Sequence, residues 1–133
     1  MSSEKMTIRE MCDEFDVTPR TLRFYESKEL LFPIRDGQKR LFTRRDRARL
    51  KLILRGKRFG FSLEDIRQLL DLYDSDGQNL AQMRRTFDLA QVRLSAMVRQ
   101  RDELNEAIDD LTRQLNWGAE MIAAAQNPRK AAE

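Results

Sequence analysis

From Leu80 onward, apolar residues recur in a strict three-four alternation through Met83, Phe87, Ala90, Leu94, Met97, Leu104, Ile108, Leu111, Leu115, Ile122 and Ala125, interrupted only by Arg101 and Gly118. Roughly six heptads exceed the three or four that mark a coiled coil, and a helix over 80–125 would span about 69 Å. A rod with one apolar seam needs a partner to cover it. Its polar flanks, Arg84, Arg85, Asp102, Glu103, Asp109 and Asp110, favour an exposed rod over one folded back on a globular body. Closed homodimers are the commonest oligomers, so the economical expectation is two identical chains sharing a helix pair. Leu80, Met83, Phe87, Leu94, Met97, Leu104, Ile108, Leu111 and Leu115 are the predicted dimerisation residues. Periodicity leaves the orientation of the pair open, although Phe87 and Met97 depart from the Ile/Leu rule of parallel zippers.

The residues ahead of the rod have few routes to catalysis. The 133-residue chain has no His and one Cys, Cys12, which excludes a His-dependent triad, a C-x-x-C zinc site and an internal disulfide. No nucleophile constellation or phosphate loop is visible, so neither an enzyme nor a resident cofactor or metal is expected. No apolar run approaches the roughly 18–20 residues that cross a bilayer, and MSSEKMTIRE lacks an apolar leader, so a cytoplasmic protein is expected. The net charge of +3 says little until it is divided along the chain. Residues 1–74 hold 17 Lys and Arg against 13 Asp and Glu, whereas 75–133 hold 8 against 9. Positions 35–58 alone carry 11 basic residues and only Asp36 and Asp46. Such density attracts a polyanion but is also compatible with a solvated helix face. Organisation along the chain decides between them.

Thr7-Ile8-Arg9-Glu10 has the form of a capping box, predicting a helix over about 8–15 with Ile8, Met11, Cys12 and Phe15 on one stripe. Thr18-Pro19 suits an N-cap and first helical position, and Val17 and Leu22 stand where a hydrophobic staple would fix the start of a second helix. Two short helices joined by a tight turn read as a helix-turn-helix, whose second helix enters the major groove. At 100° per residue, Arg20, Arg23 and Ser27 fall on one side with Phe24 at its margin, while Leu22, Tyr25 and Glu29 lie roughly opposite. Pro33-Ile34, the Asp36-Gly37-Gln38 turn and Arg40-Leu41-Phe42 predict a two-stranded hairpin, a wing carrying Arg35, Lys39 and Arg40. Thr43 and Ser62 then cap helices over about 44–58 and 63–73, with Phe59-Gly60-Phe61 between them. Leu50, Ile53, Leu54, Ile66, Leu69, Leu70 and Tyr73 supply their core faces. Ser75-Asp76-Gly77 breaks the last of these helices. The expected fold is mostly α: a winged helix-turn-helix head over 1–74, a dimerisation helix over 78–125 and a flexible tail over 126–133.

These residues resemble the MerR family of bacterial transcription regulators. The resemblance rests on TIREMCDEFDVTPRTLRFYESKELLFP (7–33), RLFTRRDRARLKLI (40–53) and GFSLEDIRQLL (60–70); it is strong over 1–74 and architectural beyond. It implies an antiparallel coiled coil between protomers. It further implies a dimer on an imperfect promoter palindrome, distorting an overlong spacer so that RNA polymerase can engage. Carried over by residue, Thr18, Arg20, Arg23, Phe24 and Tyr25 of the recognition helix and Arg35, Lys39, Arg40 and Phe42 of the wing would serve DNA binding. Two departures stand out. Glu29 replaces the family's usual Gly, and Gly37 precedes Arg40 by three residues rather than two. Metal- and redox-sensing members place Cys at the end of the dimer helix, whereas this chain has none beyond Cys12. DRARLKLILRGKRFGFSLEDIRQLLDLYD resembles a subgroup controlling branched-chain amino-acid or fatty-acid catabolism, which implies an acyl-CoA-type effector.

Two functional readings remain at the level of sequence. One is a promoter-specific regulator; the other is an architectural nucleoid or partition-type protein that coats or bridges DNA with the same head. A regulator should prefer its site over random DNA by about 10³ or more.

Overall fold

A computed structural model describes residues 5–74 and 80–127. The predicted break at Ser75-Asp76-Gly77 and nearly all of the predicted tail lie outside the described residues. The elements are β1 (Lys5–Thr7), α1 (Ile8–Phe15), α2 (Pro19–Ser27), β2 (Ile34–Asp36), β3 (Lys39–Thr43), α3 (Arg44–Phe59), α4 (Leu63–Asp74) and α5 (Leu80–Gln126). The fold is mostly helical, and it divides into two compact units, residues 1–89 and 90–133.

Local capping sets the helix starts of the first unit. The Glu10 amide donates to Thr7 Oγ1 at 3.1 Å, and the Thr7 amide donates back to Glu10 Oε1 at 2.9 Å. α1 stops at Asp16, which takes the left-handed conformation (φ 54°) that a short polar side chain tolerates. Thr18 then caps α2 by accepting from the Thr21 amide at 3.2 Å, with Pro19 at the first helical position. Thr43 with Asp46 and Ser62 with Asp65 repeat the reciprocal cap at α3 and α4.

The sheet departs from the sequence expectation. It has three strands in the order β1-β3-β2, both pairs antiparallel. β1 sets Met6 opposite Phe42, and a two-residue turn with Gly37 at φ 64° joins β2 to β3. A three-residue strand is too short to show a period of two, so β1 has no signature in the sequence.

Met11, Leu22, Tyr25, Leu30, Leu31, Phe42, Leu50, Ile53, Ile66 and Leu70 form the core of this unit. Tyr73, expected in the core, is 49% exposed. Two buried polar residues fasten the segment after α2 to this core. Asp46 accepts from the Phe32 amide at 2.9 Å, and Arg49 donates through Nε to the Leu30 carbonyl at 2.8 Å and through Nη1 to Asp74 at 2.8 Å. From α4, Arg67 donates to the Lys28 carbonyl at the end of α2 at 2.7 Å. Helices α3 and α4 thus brace the exit of α2.

The second unit is described through the remainder of α5. No residue of this helix is buried, and its predicted seam, from Leu80 through Leu115, is 36–67% exposed.

Candidate nucleic-acid interface

Helix α2 separates its faces by period. Leu22 and Tyr25, three apart, point into the core, while Arg20, Arg23, Phe24 and Ser27 face solvent. Neither Arg20 nor Arg23 has an ion pair among the described residues. Phe24 is 44% exposed; its ring centroid lies 5.6 Å from that of Tyr25 and 5.6 Å from Lys28 Nζ. The helix therefore offers two free guanidinium groups beside an accessible aromatic ring. That set can hydrogen-bond phosphate or guanine edges and contact a thymine methyl. The Thr18 hydroxyl is engaged in the α2 cap and lies 2.9 Å from that of Thr21.

The wing reaches the same face through Glu26. Arg40 donates to Glu26 Oε1, and Arg35 Nη1 lies 3.4 Å from Glu26 Oε2. These contacts tie β2 and β3 to the recognition helix and partly neutralise both cations, leaving Lys39 as the exposed cation of the wing without an ion pair among the described residues. The Arg35 and Arg40 positions are thus brought together with α2, in a positioning role that sequence reasoning did not see.

Two of the expected DNA-contacting side chains lie in the core. Phe42 is 0% exposed because β3 alternates it inward opposite Met6, and Tyr25 is 3% exposed because it follows Leu22 on the buried face. Their side chains hold the core together. Burial also pushes the Tyr25 phenol above its ordinary pKa. Glu29, placed by helical arithmetic on the inner side, is exposed instead: α2 ends at Ser27, and Glu29 adopts φ 58° in the turn beyond it. This is the left-handed region that favours glycine.

Lys57 was missed as a site residue. It lines a cleft of about 440 Å³ together with Arg20, Thr21, Phe24, Tyr25, Phe61, Leu63 and Ile66. The basic run of 35–58 includes Lys57, but only the folded chain selects it from its neighbours by placing it in this cleft. Cys12 packs against the core; burial, then Asp13, push its thiol above the usual value while Arg23 pulls it down. A protonated, partly buried thiol is a packing group rather than a reactive one.

A family model described as "MerR HTH family regulatory protein" matches residues 6–73, and one described as "MerR, DNA binding" matches 47–114. The chain belongs to the MerR family. Among curated relatives, it is 34% identical over 102 residues to the HTH-type transcriptional regulator HmrR of Rhizobium leguminosarum bv. viciae, covering 76% of this chain and 77% of that protein. It is 42% identical over 67 residues to the regulator ZntR of Escherichia coli (strain K12), covering 49% of this chain and 48% of that one. Among solved structures, it resembles HiNmlR, a MerR-family regulator lacking the sensor domain and bound to promoter DNA, with TM-score 0.63 and 25% identity over 79% of each chain. It also resembles PbrR691 of Ralstonia metallidurans CH34 in complex with lead(II), with TM-score 0.60 and 31% identity over 81% of this chain and 85% of that one. This MerR-family chain is a DNA-binding transcription regulator and not an enzyme. Among its described residues, no helix is long and apolar enough to cross a membrane.

Proposed function

We propose that this MerR-family regulator works as a homodimer on a promoter palindrome, each head inserting α2 into a major groove and laying its wing along the adjacent backbone. The observation that carries the reading is the free Arg20, Arg23 and Phe24 face of α2, flanked by Lys39 from the wing and Lys57 from α3. The likeness to HiNmlR, whose structure holds promoter DNA, supports it. The exposed seam of α5 supports pairing of two chains, antiparallel as the family resemblance implies. Distortion of the spacer to admit RNA polymerase and residence on the nucleoid complete the reading. The effector follows from the sequence resemblance alone: an acyl-CoA-type molecule in branched-chain amino-acid or fatty-acid catabolism. The absence of any Cys beyond Cys12 weighs against a thiolate metal sensor at the end of α5.

The test is recovery of genomic fragments on purified protein at fixed salt, followed by sequencing. Enrichment of one palindrome between promoter elements by about 10³ over random DNA supports the regulator. Even recovery across the genome overturns it in favour of an architectural protein. Within the regulator reading, Arg20→Ala should flatten preference among sites. Lys39→Ala should weaken all sites alike and reduce the salt slope by about one.

A further inference from the structure

The outer face of α3 carries a stripe of cations that the DNA-reading surface does not use. Arg44, Arg47, Lys51 and Arg55 recur at intervals of three or four and so share one side of the helix. Their neighbours on the next face are paired, since Arg45 and Arg49 share the Asp74 carboxylate, at 3.0 and 2.8 Å. None of the four has an ion pair among the described residues. Like charges three and four apart repel, and Arg44 and Arg47 also stand at the positive end of the α3 dipole. This arrangement costs stability unless something anionic relieves it.

The stripe borders a cleft of about 520 Å³, within the range of small-molecule sites. Phe15 from the end of α1, Leu52 from α3 and Tyr73 from α4 give the cleft an apolar floor, and Glu14 is the one acid in its lining. It shares no lining residue with the cleft beside α2. Lys57, which lines that second cleft, is about 200° around α3 from Arg55, so the stripe faces away from the recognition helix. Cations beside aromatic and aliphatic walls suit one ligand chemistry: an acidic group that the guanidinium and ammonium heads hold, on an apolar body that the floor removes from water.

We propose that this cleft binds a small organic anion, a carboxylate, phosphate or sulfonate carried on an aromatic or aliphatic body. The regulator reading is needed only for the use to which binding is put, because the test contains no DNA. The probe is anilinonaphthalene sulfonate, titrated by fluorescence against the full chain, with neutral N-phenylnaphthylamine and inorganic phosphate in parallel. The sulfonate dye is expected to bind at a saturable site, and Arg47→Gln with Lys51→Gln should weaken it by about tenfold or more. The conservative pair Arg47→Lys with Lys51→Arg should restore most of that affinity. Neutral dye should be indifferent to both exchanges, and phosphate alone should compete weakly. Circular dichroism checks that the variants remain folded. Sulfonate binding unchanged in the glutamine pair, as it would be for dye adsorbed along α5, overturns the proposal. So does loss of the parent's oligomeric state in that pair, which would assign the face to contact between copies.

Discussion

Asp46 is 2% exposed, and its carboxylate accepts from the Phe32 amide at 2.9 Å, the Thr43 amide at 3.0 Å and Thr43 Oγ1 at 3.1 Å. Removing it would leave the Phe32 and Thr43 amides without their acceptor. Asp46→Ala should therefore cost about 2–4 kcal/mol in urea denaturation, since these are hydrogen bonds to a charged acceptor; a loss below about 1 kcal/mol would show that the site relaxes. Glu29 offers the opposite sign. A non-glycine residue at φ 58° carries strain of about 1–2 kcal/mol, so Glu29→Gly should raise stability by up to about 1 kcal/mol after the added freedom of the unfolded chain is deducted. Tyr25 brings pH into the account. Below its ordinary value of 10.0 the phenol is neutral in both folded and unfolded chains, and stability is intact. Above it the unfolded chain ionises first, so stability falls until the buried phenol also ionises. Cys12, raised from 9.0, acts in the same direction from a lower pH. Denaturation curves of Tyr25→Phe should lose less stability than the parent as pH rises beyond 10.0.

Between elements, α3 approaches α4 closely at Gly56, where a Cβ would meet Ile66 Cγ1 at 2.8 Å. Ile66 is itself 2% exposed and has little room to retreat. Gly56→Ala gains about 1 kcal/mol in helix propensity but forces α3 from α4, and a net loss of about 1–2 kcal/mol is expected. In an Ile66→Ala background the same exchange should turn neutral or stabilising; an unchanged penalty would place the strain elsewhere. This contact also marks where sequence reading stops. Helix starts were legible because Thr7-Glu10, Thr18-Pro19, Thr43-Asp46 and Ser62-Asp65 write their hydrogen bonds into three or four adjacent residues. The exposed side of α2 was legible for the same reason, since a period of 3.6 is local. The third strand was not, because Lys5–Thr7 acquires its identity only from pairing with β3. Nor were the inward turn of Phe42, the Glu26 clamp on the wing or the place of Lys57 in the cleft beside α2, all of which depend on how distant elements pack.

At the scale of the molecule, α5 leaves a seam that one chain does not cover. Leu104 and Leu111 are each 61% exposed, with Ile108 between them at 52%. Fully burying one such side chain is worth about 1.5–3 kcal/mol, so a seam of this length offers enough to hold two chains together after the loss of their independent motion. A partner helix would also place two reading heads at a fixed separation, converting a weak half-site contact into selection of a palindrome. Leu104→Asp with Leu111→Asp puts two carboxylates into that seam and leaves the sequence of residues 1–89 unchanged. Sedimentation should report monomers, and binding to a full palindrome should fall toward the affinity for an isolated half-site while circular dichroism still shows a folded head. A variant that remains dimeric would move the pairing surface off the seam. A monomer that still binds the palindrome like the parent would show that the two heads act without being joined.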